Sequence, residues 1–217
     1  MYTVRPPFFL KFIFPKGIWR MNKDEKKIYL TFDDGPVPEV TPFVLDILRK
    51  ENIKATFFFI GKNIAKNPHI YLQTMQEGHT IGNHTYTHLK GYKSTVLKYL
   101  GEIQSCNQLM HNLTEKHLGI DTDKETKYFR PPYGIMKRGQ YKKIKKTHSI
   151  VLWDVLSGDY DLKTSPTKCL QNVKANVRNG SIIIFHDSEK AKEKMQYALP
   201  LFIKYAKEMG FEFGNFG

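Results

Sequence analysis

Cysteine is nearly absent: the 217-residue chain has two, Cys106 and Cys169, far apart in sequence. That excludes a secreted scaffold stapled by several disulfides, and the lack of a C-x-x-C pair excludes the common cysteine metal and redox motifs. Long apolar runs are missing too. The most apolar stretch, FFLKFIFP at 8–15, contains Lys11, ends in Pro15 and lacks a small-residue cleavage site. A bilayer span needs about 20 apolar residues, so this stretch is neither a span nor a signal peptide. Negative charge is scarce, with 21 Asp and Glu against 34 Lys and Arg, a net +13. No repeat, low-complexity tract or linker breaks the chain.

What is present is enough apolar material for a core. Hydrophobic residues make up 41% and aromatics 13%, which excludes a disordered chain and suits one large domain or two small ones. The surplus positive charge does not read as a nucleic-acid site. Its densest run, KKIKK at 142–146, spreads around a helical turn with only Tyr141 beside it, lacking the spaced aromatics that stack on bases. The first 30 residues hold Arg5, Lys11, Lys16, Arg20, Lys23, Lys26 and Lys27 against Asp24 and Glu25, beside several Phe and Trp19. We read 8–15 as packed onto the domain, with a membrane-surface contact as the alternative.

Strand-like and helix-like segments alternate. KIYLTF (27–32), ATFFFI (55–60), HTIGNH (79–84), SIVLW (149–153), SIIIFH (181–186) and FEF (211–213) are short β-branched or aromatic runs. Helices are expected after Thr41-Pro42 and Asn67-Pro68, over 94–113 with Ser94 as N-cap, after Ser165-Pro166, and from near Tyr197 to Met209 with Pro200 in the first turn. Cys106 and Cys169 fall on the apolar stripes of two of these helices and are expected in the core. The alternation predicts an α/β fold with a mainly parallel sheet, open or closed into a barrel. In either, sites form where strands end at their carboxyl side.

Asp33, Asp34, His84, His88, Arg130, Asp154 and His186 all fall at or just beyond such ends. A carboxylate with two imidazoles suits a divalent metal, and the four-residue spacing of His84 and His88 would let one helical turn present both. Three protein ligands leave a coordination position open, as in catalytic zinc sites. The spare carboxylate of the Asp33/Asp34 pair could accept a proton from water, His186 could act as general acid, and Arg130 would keep a nearby carboxylate ionised. The set describes metal-assisted hydrolysis of a carbonyl-type bond.

These residues lie in TFDDGP (31–36), HTYTH (84–88), RPPYG (130–134), WDVLSGDY (153–160) and IIIFHD (182–187), which in order resemble the five motifs of the NodB-type polysaccharide deacetylases, carbohydrate esterase family 4. The resemblance implies a distorted (β/α) barrel over residues 27–217, with 1–26 as an N-terminal extension packed on it. It implies removal of acetyl groups from N-acetylated sugars with a divalent ion, commonly zinc, with cobalt or nickel also accepted by such ligands. By position, Asp33 would be the base, and Asp34, His84 and His88 the metal ligands. Arg130 would pair with Asp33, the Tyr133 N–H would join the oxyanion site and His186 would be the acid. Ile184 would line the acetyl pocket, and Trp153 and Tyr160, the latter in place of a usual Trp, would wall the groove.

One departure stands out. The family pattern has a carboxylate at the place of Leu156, where it pairs with the catalytic His, so His186 is expected to have a lowered pKa, with Asp154 the favoured substitute and Asp161 or Asp187 behind it. Leu156 and Tyr160 also motivate one alternative, a carbohydrate-binding pseudoenzyme, and a hydrolase of a non-sugar amide on the same scaffold is a further one. The expected partner is an N-acetylated glycan, with no specific nucleic acid. The apparent lack of a signal peptide points to the cytoplasm, with membrane-surface association as the alternative.

Overall fold

The computed structural model describes residues 2–120 and 127–216. Among the described residues eight strands carry the fold: β1 (Lys27–Asp33), β2 (Thr56–Phe59), β3 (Thr80–Asn83), β4 (Tyr128–Phe129), β5 (Ser149–Ile150), β6 (Val155–Leu156), β7 (Ile182–His186) and β8 (Glu212–Gly214). Their order is β5-β4-β3-β2-β1-β7-β6, with β8 beside β1 and every strand pair parallel. The two ends of that order, β5 and β6, lie in one continuous stretch of chain. The Val151 N–H donates to the Phe129 carbonyl at 2.9 Å and the Asp154 N–H to Ile182 at 3.0 Å, so this stretch joins the sheet's two edges and closes a distorted barrel.

Helices wrap the outside: α1 (Phe8–Ile13), α2 (Thr41–Lys50), α3 (Gly61–Lys66), α4 (Pro68–Gln76), α5 (Val96–Leu118), α6 (Arg138–Ile144), α7 (Pro166–Asn176) and α8 (Lys192–Glu208). Strand alternation assigns the two faces. Ile28, Leu30, Phe32, Phe57, Phe59, Ile183 and Phe185 pack in one cluster with Val44 and Leu48 of α2, Val173 of α7 and Met195 and Phe202 of α8. Phe32 stacks on Phe57 with centroids 4.9 Å apart. Each such fully buried Phe contributes about 2 kcal/mol by transfer from water. Both cysteines lie in this cluster, free and buried. The intervening residues face the barrel interior, where Tyr29, Phe58, Val151, Ile182 and Phe216 fill the floor. Thr31 and Asp33, and Ile184 and His186, continue that inner face toward the strand ends.

Several helix expectations shift. Thr95, not Ser94, caps α5, its hydroxyl accepting the Lys98 N–H at 3.2 Å, while the Ser94 hydroxyl donates to the Gly91 carbonyl. Helix α5 runs on to Leu118 and stops at left-handed Gly119. Helix α8 begins at Lys192, so Pro200 is inside it rather than in its first turn. Ser165 caps α7 as expected.

The N-terminal segment is partly built into the barrel. Ile18 bridges to Val151 and Arg20 to Ser181, filling the seam between β5 and β7. Val4 accepts the Leu156 N–H at 2.8 Å, and Tyr2 receives hydrogen bonds from Thr164 and Asn172. Trp19 is buried, and so is withheld from any membrane-surface contact. The stretch read as packed is so only at its end: Phe14 is buried, whereas Phe8, Phe9, Phe12 and Ile13 are exposed.

Candidate active site

Asp33 and His186 end the two central strands in direct register. Since both stand on the inner face at the carboxyl end, the pairing brings a carboxylate and an imidazole side by side at the barrel mouth. Arg130, just after β4, lies buried below them with its guanidinium over the Phe58 ring at 4.1 Å. Its Nη1 donates to Asp33 Oδ1 at 2.6 Å and to the Thr31 hydroxyl at 2.8 Å, and its Nη2 donates to the Leu152 carbonyl at 3.0 Å. Burial raises the Asp33 pKa, and the Arg130 charge opposes that rise without cancelling it.

Asp34 turns away from Asp33 because its backbone is left-handed (φ 82°). Asn63 holds the Asp34 carbonyl at 2.7 Å, and the Asp187 carboxylate accepts both the Gly35 N–H at 3.0 Å and the Thr41 hydroxyl at 2.6 Å. Gly35 is required here, because a Cβ would fall inside the Asp187 carboxylate. Burial pushes the Asp187 carboxyl well up from its ordinary range.

His84 and His88 complete a cluster with Asp34, all three ligand atoms lying within 4.8 Å of one another. The two histidines do not share a helical turn. His84 follows β3, Thr85 (φ 65°) and His88 (φ 59°) are left-handed, and a loop folds the second ring back to 5.1 Å from the first. Asn83 pins this loop by accepting the Thr85 N–H at 2.7 Å. His84 Nδ1 meets the Arg130 carbonyl at 2.7 Å. A carbonyl only accepts, so Nδ1 carries the proton and Nε2 presents its lone pair toward Asp34, 3.6 Å from Oδ1. Burial holds both imidazoles below their ordinary pKa and therefore neutral. Asp34 Oδ1 is buried without a hydrogen-bond partner. A buried carboxylate oxygen facing two neutral imidazole nitrogens is what a divalent cation requires, so these residues fit one.

His186 departs from expectation. Its Nδ1 lies 2.8 Å from Asp159 Oδ1, and its backbone N–H donates to Asp159 Oδ2 at 2.7 Å. Burial alone would lower its pKa, but the charge and hydrogen bond of Asp159, helped by Asp34 and Asp33, outweigh that and push it up to about 9. Leu156 thus leaves no gap. Asp154, the expected substitute, is engaged elsewhere, accepting from Arg178 at 2.6 Å, Ser181 at 2.8 Å and Arg5 at 3.1 Å. Asp187 is occupied by Gly35 and Thr41, and Asp161 Oδ1 accepts the Lys163 N–H.

Around these groups, the Tyr133 ring lies 4.7 Å from His88 and the Tyr160 ring 4.9 Å from His186. Ile184 is buried two residues below His186 and in register with Leu156. Trp153 packs against Gly134, and its ring lies tilted against that of Trp19 with centroids 5.7 Å apart. Thr31 and Asn83 are supports to which the sequence assigned no role, whereas Asp187, named there as a possible partner of His186, instead braces the loop after β1. Thr31 could have been found, being two residues before Asp33 on the same strand face.

The sequence profile described as Polysaccharide deacetylase matches residues 20–149. The chain belongs to that family. It is 34% identical to a peptidoglycan-N-acetylglucosamine deacetylase of Bacillus cereus, over 90% of this chain and 88% of that protein. Other curated relatives are longer, the chain spanning 57% or 38% of them. Its fold superposes on the crystal structure of the Bc1960 peptidoglycan N-acetylglucosamine deacetylase with a TM-score of 0.85 at 31% identity, covering 97% of this chain and 95% of that one. It also resembles BA3943 of Bacillus anthracis, a CE4-family pseudoenzyme, with a TM-score of 0.76 at 26% identity, covering 92% and 67%. The distorted parallel barrel of polysaccharide deacetylases is therefore the fold seen here. Since one neighbour is a pseudoenzyme, activity has to be argued from the site.

Proposed function

We propose that this polysaccharide deacetylase is an active, metal-dependent hydrolase that releases acetate from N-acetylated sugar residues of a glycan. The observation that carries the reading is the register of Asp33 with His186, each with its own counter-charge, beside the Asp34-His84-His88 cluster.

Asp34, His84 and His88 would hold the cation, with zinc favoured by the ligand set. When bound, such an ion polarises an amide carbonyl and acidifies water. The remaining steps belong to the chain. Asp33 accepts the proton of the attacking water, Arg130 keeping its carboxylate aimed and ionised despite burial. His186, protonated through Asp159, gives a proton to the departing sugar amine. The Tyr133 N–H faces the developing oxyanion, Ile184 packs against the acetyl methyl, and Tyr133, Trp153 and Tyr160 wall the sugar.

The Asp159 partner of His186 removes Leu156 as a motive for the pseudoenzyme alternative and leaves Tyr160 as its remaining one, which acetate release decides. Acetate release from peptidoglycan fragments and N-acetylglucosamine oligomers tests the reading. Wild type should release acetate and lose this on chelation. Asp34→Ala and His84→Ala should fail to retain metal, whereas Asp33→Asn should retain it and lose about 10²-fold or more in rate. Full activity in metal-free Asp34→Ala would overturn the proposal.

A further inference from the structure

Four large apolar side chains stand in solvent on the six-residue helix α1: Phe8 is 75% exposed, Phe9 60%, Phe12 69% and Ile13 46%. None of the six residues is buried. The helix is nevertheless held firmly. Before it, Val4 bonds β6 and Arg5 is tied to Asp154 and Asn176; after it, Phe14 is buried and Ile18 enters the barrel seam. The fold therefore presents this apolar knuckle to solvent rather than letting it collapse onto the core.

Cations stand beside it. An open cavity of about 560 Å³ next to α1 is bordered by Lys11, Arg20, Lys23 and Arg178, with no acidic side chain in its lining. Asp154 answers Arg178 and Arg5, but Lys11, Lys16, Arg20 and Lys23 form no ion pair among the described residues. An apolar wedge flanked by unpaired cations is complementary to an interface that is greasy within and negative at its rim. A second copy of the chain fits poorly, since each copy carries +13 and meets the other's cations. No described helix is long and apolar enough to cross a membrane.

We propose that α1 docks the domain onto an anionic lipid bilayer. Phe8, Phe9, Phe12 and Ile13 enter the boundary between headgroups and acyl chains, while Lys11, Lys16, Arg20 and Lys23 meet the lipid phosphates. This does not depend on the catalytic reading, because binding is measured without turnover.

The test is co-sedimentation of the full chain with vesicles of phosphatidylcholine alone and of phosphatidylcholine with phosphatidylglycerol. Wild type should bind the anionic vesicles at least about tenfold more tightly. Phe8→Ser/Phe9→Ser/Phe12→Ser should weaken that binding by about tenfold or more, and Lys11→Glu/Lys23→Glu likewise, while melting temperature stays unchanged. Three results would overturn the proposal. One is equal binding to both vesicles. Another is undiminished binding of the triple-Ser variant, which would mark a purely electrostatic contact. The third is a wild-type dimer in sedimentation velocity that the triple-Ser change dissolves, which would show a second copy covering the patch.

Discussion

The imidazole of His186 sits among Asp33, Asp34 and Asp159, and the carboxylate that touches it decides its charge. Asp159 is fully buried and spends both oxygens on His186, one on the ring and one on the backbone N–H. Asp159→Asn should therefore bring the His186 pKa down from about 9, moving the alkaline limb of the pH–rate profile toward neutral with little change in metal content. The same pair affects stability. A histidine raised from 6.5 to about 9 on folding stabilises fully below 6.5, and that contribution fades as pH rises through 9. Thermal unfolding of chelated protein should thus lose more between those pH values in wild type than in Asp159→Asn. Asp154 was the wrong expectation here for a local reason. Left-handed Gly158 (φ 80°) turns the chain after β6 and brings Asp159 under the ring, a turn that residue types alone do not disclose. The charged groups themselves were legible, because strand alternation and strand ends predict which side chains reach the barrel mouth.

At the scale of elements, the loops after β1 and β3 do more than connect strands. Each uses left-handed residues to aim a ligand, and the first is braced by Asp187 from beyond β7. Gly35→Ala should destabilise by about 1–3 kcal/mol in urea unfolding, since the added methyl displaces a buried carboxylate. The helix caps make a second comparison. Thr95→Ala should cost about 1 kcal/mol through the lost first-turn acceptor of α5. Parallel strands and most helices were readable from periodicity and Pro-led starts. The loop that brings His88 to His84 was not, because a four-residue spacing fits a helical turn as well as a folded-back loop. Nor was the start of α8, where the interior Pro200 misplaced the expected first turn.

For the whole molecule, the seam matters most. Asp154 fastens the N-terminal segment to the barrel through Arg5 and fastens Arg178 and Ser181 beside it. Asp154→Ala should lower stability by on the order of 2 kcal/mol, moderated because both guanidiniums are partly exposed to solvent. Below its melting temperature the variant should keep its rate of acetate release, which separates this residue from the His186 pair. Closure of the seam also has a temporal side. Ile18 needs Val151, Arg20 needs Ser181 and Val4 needs Leu156, so these residues are synthesised well before the partners that hold them. The exposed aromatics of α1 emerge ahead of the strands that anchor their flanks, and they must stay unaggregated through that wait.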